Sequence, residues 1–447
     1  VQQKKSRAYY QYMLDKADNK VSYYSSDDFT QIIFDLLEDD EVAEALKVCQ
    51  NGLEQHPNDE ILELIEARIF LQMNRHDEAE KIIQRYIGEK TPSSIGIRFG
   101  IDVQSKKQED AYKAFFGHLK KGDLTSIEFI EVIEELFDHL PERLTSKYLV
   151  KAANLIIKKK QKTEEQDAEA LSRIGALLVD CECFSEAIPV LEHAIDLDAY
   201  DVYTWQDLAR CQFELEMLDE CRNSCEMGLA IDPQNPLFNF ALGYIKSENG
   251  ENAEAVEHLE IARQYSEGKL LYDDNLGLDR EDIDELTNIT YALLGSAYSD
   301  LGQKDKALEC FKTLVHRDPE YTEGFYNLAM LSLDKGNTKE ALEYIEEAIQ
   351  AEPDNTEYLT LRVTLLTDLH RFDDALKGLD ELIKLQPRSK AFLLAKAELA
   401  LNLKRNDEAD KAYRKLLKLK PKDSASREMM RAYFEAIGDK DALEKLK

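Results

Sequence analysis

The sequence predicts an all-α protein built from repeated helix pairs, and three observations predict it. Prolines and glycines are scarce, 10 and 18 among 447 residues, about half of the ~12% usual for the two together. Pro319, Pro353, Pro387 and Pro421 follow one another at intervals of 34 residues, and twelve positions before each stands Ala307, Ala341, Ala375 or Ala409. Within one interval the apolar residues fall twice at helical spacing: Tyr291, Leu294, Gly295 and Tyr298, then Ala307, Phe311 and Leu314. Offsets of three, four and seven put each set on one helical face.

Residues 1–26 read as an N-terminal segment, with a capping helix at 7–14 that carries Tyr9, Tyr10, Tyr12, Met13 and Leu14. Such a helix would shield the apolar face of the first repeat. Over 27–91 the period is visible: Ala45 precedes Pro57, and Ala79 follows Ala45 by 34 residues. The stretch 92–167 lacks this pairing. There Ile95, Ile97, Phe99, Ile101 and Val103 alternate with Gly96, Arg98, Gly100 and Asp102, a period of two that suits a short strand. Helices are expected after it at 110–121, 126–140 and 142–160. Degenerate repeats, a joint between two arrays and a small separate module all remain open for this stretch.

From 168 to 447 the period resumes, with Ala187 before Ala199 and Cys221 before Pro233. Pro233 and Pro319 are separated by two periods plus 18 residues, which places an acidic insertion near 268–287. Asp279 and Asp282 there resemble an N-cap box, so the helix through Tyr291 is expected to begin about two turns early. Asp300-Leu301-Gly302-Gln303-Lys304 reads as the turn inside a unit, with Gly302 ending the first helix. The proline ends the second helix, which it cannot extend. Residues 424–447 are expected to close the array through Met429, Met430, Tyr433, Phe434 and Leu443.

These residues resemble the tetratricopeptide repeat, a 34-residue helix-turn-helix unit with consensus W-x2-L-G-x2-Y…A-x3-F…P. The unit ending at Pro319 matches at every consensus position, with Tyr291 for Trp and Leu314 for the second small residue. Trp205, Leu208 and Ala209 match in another unit, Phe325, Leu328 and Ala329 in a third, and Phe29, Leu36 and Ala45 near the start. Arg362 and Lys396 stand where the consensus Leu belongs, so a slightly displaced packing register is expected there. The resemblance implies a right-handed α-α superhelical solenoid of about 11–12 helix pairs.

Composition narrows the function. The net charge of −32, from 57 basic and 89 acidic residues, repels phosphate backbones, so no nucleic-acid partner is expected. No apolar run is long enough for membrane insertion. Seven cysteines at irregular spacing do not form a disulfide framework, and a cytoplasmic location follows as the expectation. Cys221, Cys225 and Cys49 take the places of the consensus Ala and Phe, which makes them core residues. The eight histidines are scattered, and Asp273, Asp274, Asn275, Asp279, Asp282 and Asp284 fit a calcium loop poorly. The run Lys158–Lys162 reads as a charged helix end or as a dock for an acidic partner. No catalytic or nucleotide motif occurs. The reading is therefore of a protein without enzyme activity, cofactor or metal.

In the family, first helices line a concave groove. Position 13 of successive units reads Asp180, Glu214, Glu248, Asp300, Asp334, Asp368 and Asn402, with Glu38 continuing the series in the first unit. An acid near a helix C-terminus opposes the macrodipole, so helix formation does not ask for it. Beside these lie groove candidates: Arg173, Tyr203, Gln206, Asp207, Arg210, Phe213, Phe240, Tyr244, Tyr326, Asn327 and Met330. The clamp for C-terminal carboxylates known in this family needs Lys, Asn and Arg in successive units, and only Asn327 stands at such a position. The expected activity is a protein-interaction scaffold holding a basic, amphipathic protein or peptide segment. The alternative is a peptide-sensing regulator that signals along the superhelix.

Overall fold

A computed structural model describes residues 5–17, 22–86, 88, 90–104, 107–158, 164–266, 280–420 and 423–446. Among them secondary structure is helical throughout. The described residues divide into two compact units, one up to 241 and one from 242 onward. Each is a succession of helix pairs.

The first unit opens with α1 (Arg7–Ala17), followed by the pairs α2 (Ser26–Glu38) with α3 (Val42–Gln55) and α4 (Glu60–Gln72) with α5 (His76–Ile83). Next come α6 (Pro92–Val103) with α7 (Gln108–Lys121), and α8 (Ser126–Leu136) with α9 (Glu142–Ile157). The pairs α10 (Glu164–Asp180) with α11 (Phe184–Leu197), and α12 (Val202–Glu214) with α13 (Leu218–Ile231), complete it up to α14 (Pro236–Glu248), where the division falls. The second unit continues with α15 (Asn252–Ser266) and the pairs α16 (Arg280–Asp300) with α17 (Lys304–Arg317), and α18 (Thr322–Asp334) with α19 (Thr338–Ala351). After these stand α20 (Thr356–Asp368) with α21 (Phe372–Leu385), α22 (Lys390–Asn402) with α23 (Asn406–Lys418), and α24 (Ser424–Ala436) with α25 (Lys440–Lys445).

One turn recurs inside the pairs. Asp40, Asn74, Glu182, Glu216, Gly250, Gly302, Gly336, His370, Lys404 and Gly438 each sit two residues past a first helix with φ between 52 and 80°. The next residue's N–H then reaches back to a carbonyl of the last turn, as in Glu41 to Leu36 (2.9 Å), Met217 to Gln212 (2.8 Å) and Gln303 to Tyr298 (2.8 Å). This is the six-to-one closure that satisfies helix-end carbonyls and reverses the chain. Five residues beyond all of these but Gly438, Ala45, Ala79, Ala187, Cys221, Ala255, Ala307, Ala341, Ala375 and Ala409 are buried completely. Opposite them the first helices carry small residues for the same reason. A Cβ on Gly295 would stand 2.7 Å from the Phe311 ring, and one on Gly175 would stand 2.2 Å from Leu191.

The strand suggested for 95–103 is not formed; 92–103 is a helix. Thr91 caps it by accepting from the Ser94 N–H (3.3 Å), and Pro92 occupies its first position. The alternation arises because this helix is buried on two sides. Ile95, Phe99 and Val103 pack into the core running on through α12, while Ile97 and Ile101 pack into the core of the preceding helices. Two stripes at offsets of four, interleaved, look like a period of two. Gly96 and Gly100 let it approach α8 and α4, since Cβ atoms there would come within 2.9 Å of Val132 and 2.8 Å of Leu71. The three helices expected after it are present as α7, α8 and α9.

At the N-terminal side, Tyr9 and Tyr12 of α1 pack on the first repeat's core. The Asp15 carboxylate accepts from Tyr24 Oη at 2.7 Å. Tyr10, Met13 and Leu14 face outward instead. In α24 and α25, Met430, Tyr433, Phe434 and Leu446 join the core with α22 and α23, Leu443 is half-buried against it, and Met429 is exposed. The helix through Tyr291 does start early, at Arg280, and Arg317 ties its added turns through Asp284 (2.6 Å) and Asn288 (3.3 Å). The insertion's acids from Asp273 to Asp279, and the Asp279 cap, lie outside the described residues, as do Lys159–Lys162 and Pro421. Arg362 and Lys396 lay their stems along α21 and pair with Glu381 and Asp380.

The left-handed turn gives a direct test. An L-residue in that conformation is strained, and glycine is not, while Asp and Asn tolerate it better than most. Glu216→Gly and His370→Gly are each expected to stabilise the protein by up to about 1 kcal/mol, seen as a rise in Tm. Phe311→Ala, which empties the contact with Gly295, is expected to cost about 3–5 kcal/mol.

Candidate functional site

All position-13 residues occupy one structural place: Glu38, Asp180, Glu214, Glu248, Asp300, Asp334, Asp368 and Asn402 are each the last residue of a first helix, and each is exposed. The turn explains this. It begins at the following residue, so the position-13 side chain leaves the helix where the backbone turns away. The series is partly paired from within. Lys5 pairs with Glu38 (3.1 Å), Asn252 Nδ2 donates to Asp300 (3.0 Å), and Lys304 pairs with Asp334 (2.5 Å). Partial desolvation pushes the Asp180 carboxyl up although the residue is exposed, and the charge of Arg210 acts against that.

In the second unit a cleft of about 320 Å³ opens between the first helices α16 and α18. Ser296, Ser299, Asp300, Asn327, Met330 and Asp334 line it. Four of the residues expected from the sequence therefore come together. Met330 is 43% exposed, an adaptable apolar contact beside two carboxylates. Tyr326 is turned partly aside: its hydroxyl donates to Glu357 (2.9 Å) and its ring lies 5.6 Å from that of Tyr358. Tyr244 is half-buried, and Asp368 lies one pair further on.

In the first unit, Tyr203 is exposed, and Gln206, Asp207, Phe213 and Phe240 are half-buried. Gln206 accepts from Asn235 Nδ2 at 3.3 Å. Asp207 is the most perturbed carboxyl of the candidates: burial, then the neighbouring charge of Asp180 and more weakly Asp201, raise it to about 7, against the pull of Arg210. Arg173 is committed elsewhere, its guanidinium donating to Glu134 (3.0 Å) on α8 and to Glu169 (3.3 Å). It fastens α10 to α8.

A second cleft escaped the sequence reading. The first helices α2, α4, α6 and α8 enclose about 450 Å³, with Phe34 and Ile61 exposed on one side and Glu128, Glu131 and Glu135 on the other. Arg68 lies over the Phe34 ring (5.8 Å) and pairs with Glu135, whose carboxyl burial pushes up. Half of this wall comes from 92–136, where the missing alanine–proline rhythm hid the register. The two exposed apolar residues on α2 and α4 were the available signal. Six of the seven cysteines are buried, and Cys183 is half-buried. Cys49, Cys211, Cys221 and Cys225 are fully buried, and burial lifts the Cys49, Cys181 and Cys211 thiols to about 12. Among the described residues no helix is long and apolar enough to cross a membrane.

Family models described as tetratricopeptide repeat match residues 36–93, 293–356 and 360–424. No curated protein sequence matches the chain. Among solved structures, pilF of Pseudomonas aeruginosa is similar at 19% identity over 53% of this chain and all of its own, with a TM-score of 0.39. YrrB, described as a TPR protein with an unusual peptide-binding site, aligns at 18% identity over 48% of this chain and 97% of its own (TM-score 0.37). The Cut9-Hcn1 complex of the APC/C aligns at 12% identity over 95% and 92% (TM-score 0.34). Likeness of that degree says nothing about which ligand this chain holds.

Asp207 yields a pH test. Its folded pKa lies above the unfolded value of 3.8, so the folded state holds the proton more tightly, and stability falls as pH rises from about 4 through about 7. Asp207→Asn keeps the group neutral. Its Tm is expected to match the parent near pH 4 and exceed it near pH 8, in paired thermal melts.

Proposed function

Because the chain is a tetratricopeptide-repeat protein, we propose that it is a non-catalytic protein-interaction scaffold that holds a basic, amphipathic protein or peptide segment against its first helices. The observation that carries this reading is the cleft between α16 and α18, where Asp300 and Asp334 flank the exposed Met330. A ligand that answers this surface carries Lys or Arg beside an apolar side chain. Exposed ion pairs contribute only ~0–1 kcal/mol each, so the carboxylates act on encounter and on the sign of the ligand, while Met330 and its apolar neighbours act on residence. No step in this reading requires a cofactor. The net charge of −32 argues against nucleic-acid partners, and seven free cysteines suit a reducing compartment such as the cytoplasm.

Stopped-flow binding of a labelled peptide alternating Lys and Leu tests the reading. Asp300→Asn with Asp334→Asn is expected to slow association several-fold and flatten its salt dependence. Met330→Ala is expected to speed dissociation instead. Unchanged rates in both variants would mean that the cleft takes no part in binding.

A further inference from the structure

The second helices α7 and α9 carry a surface whose charge is opposite to that of the chain. A depression of about 640 Å³ runs between them, and its border includes Lys113, Lys120, Lys151 and Lys158 with no acid among its lining residues. This stands in a chain of net charge −32. Lys113 has a neighbour in Asp110 (3.3 Å). Lys120 and Lys151 lie over the rings of Phe116 (5.1 Å) and Tyr148 (3.9 Å). Among the described residues, Lys120, Lys151 and Lys158 have no ion-pair partner. Like charges gathered without counter-charges raise the energy of the folded state, and solubility does not ask for them here.

The floor holds a second, independent observation. Gly117 lies inside α7, where glycine weakens a helix relative to alanine. The other described helix-interior glycines have a packing reason, since a Cβ on Gly52, Gly96, Gly175, Gly228, Gly295 or Gly378 would meet an atom at 3.0 Å or less. Those in the left-handed turns have a conformational reason. Gly117 has neither: nothing lies within 4 Å of the place its Cβ would take. The missing side chain leaves the depression open at this point, next to the half-buried Leu155.

We propose that this depression is a docking site for a short acidic protein segment that carries Asp or Glu on either side of one apolar side chain. The apolar group sits over Gly117 against Leu155, and the carboxylates meet Lys120, Lys151 and Lys158. Charge decides the occupant's class. At physiological salt the field of the lysines reaches about 8 Å, enough for a short segment. An extended polyanion such as RNA or an anionic bilayer also meets the rest of a chain of net charge −32, which repels it.

Fluorescence anisotropy on the full chain tests this with a labelled dodecapeptide of Asp and Glu around a central Leu. Phosphatidylserine vesicles and single-stranded RNA serve as competing probes, and light scattering reports self-association. Saturable, salt-sensitive peptide binding is expected. It should weaken about tenfold or more in Lys120→Glu with Lys151→Glu, and by a similar factor in Gly117→Met, which fills the floor without changing charge. Gly117→Met is also expected to raise Tm, which separates blocked binding from lost fold. Replacing the central Leu by Ser should weaken binding in the parent but not in Gly117→Met. No binding, equal binding by both variants, tighter binding of vesicles or RNA, or a dimer that the charge reversal dissolves would each overturn the proposal.

Discussion

The close approach of two helices at one small, fully buried residue is the constraint that the rest of the structure follows. Where Ala307 or Ala341 meets the first helix of its pair, no larger side chain has room, and the facing Gly295 sharpens the same demand. Packing at that distance brings Phe311 against Gly295 of the first helix, with Leu314 fully buried beside it, and dispersion and burial then stabilise the pair. A pair by itself leaves apolar faces open, so each is completed by its neighbours, as repeat arrays require. Cys221 shows that the requirement concerns volume rather than residue type. A thiol, 0% exposed, does the same work there.

The left-handed turn follows from this packing and in turn positions the chemistry. For the small residue to face the first helix, the chain must reverse within a few residues, and the recurring positive φ achieves that even at Glu182, Glu216, His370 and Lys404, where no glycine relieves the strain. The residue just before the turn is then exposed at the helix end in every such pair but the one ending at Gln72, which is half-buried. That is why a series of acids at one repeat position becomes a series at one structural place. The fold does not dictate that they be acidic, and the pairing of Asp334 with Lys304 shows that the array tempers its own charge.

How much could be read beforehand varies with the physical cause. The alanine–proline rhythm and the paired helical stripes translate directly into helix pairs, because periodicity and burial are the same fact seen twice. Residues 95–103 misled because a helix buried on both sides carries two interleaved stripes, and a single-face pattern has no means to express that. Among the candidates, Asp300, Asn327, Met330 and Asp334 meet in one cleft, since repeat position alone determines their place. Arg173 was invisible as a strut because its partner Glu134 lies 39 residues away, and nothing local announces such a pair. The cleft beside Phe34 and the depression at Gly117 depend on which helices pack side by side in 92–158, where the rhythm is absent.

The central claim is that a basic, apolar segment seats between α16 and α18, against Met330. Methyl spectra of 13C-methionine-labelled protein, titrated with a Lys- and Leu-bearing peptide, read that contact directly. The chain has seven methionines, and Met13, Met227 and Met429 are exposed and do not line the cleft, which makes them internal controls. The account predicts a saturating shift of the Met330 methyl that Asp300→Asn with Asp334→Asn weakens, while the three controls stay in place. Shifts at Met13, Met227 or Met429 with Met330 unmoved would contradict it.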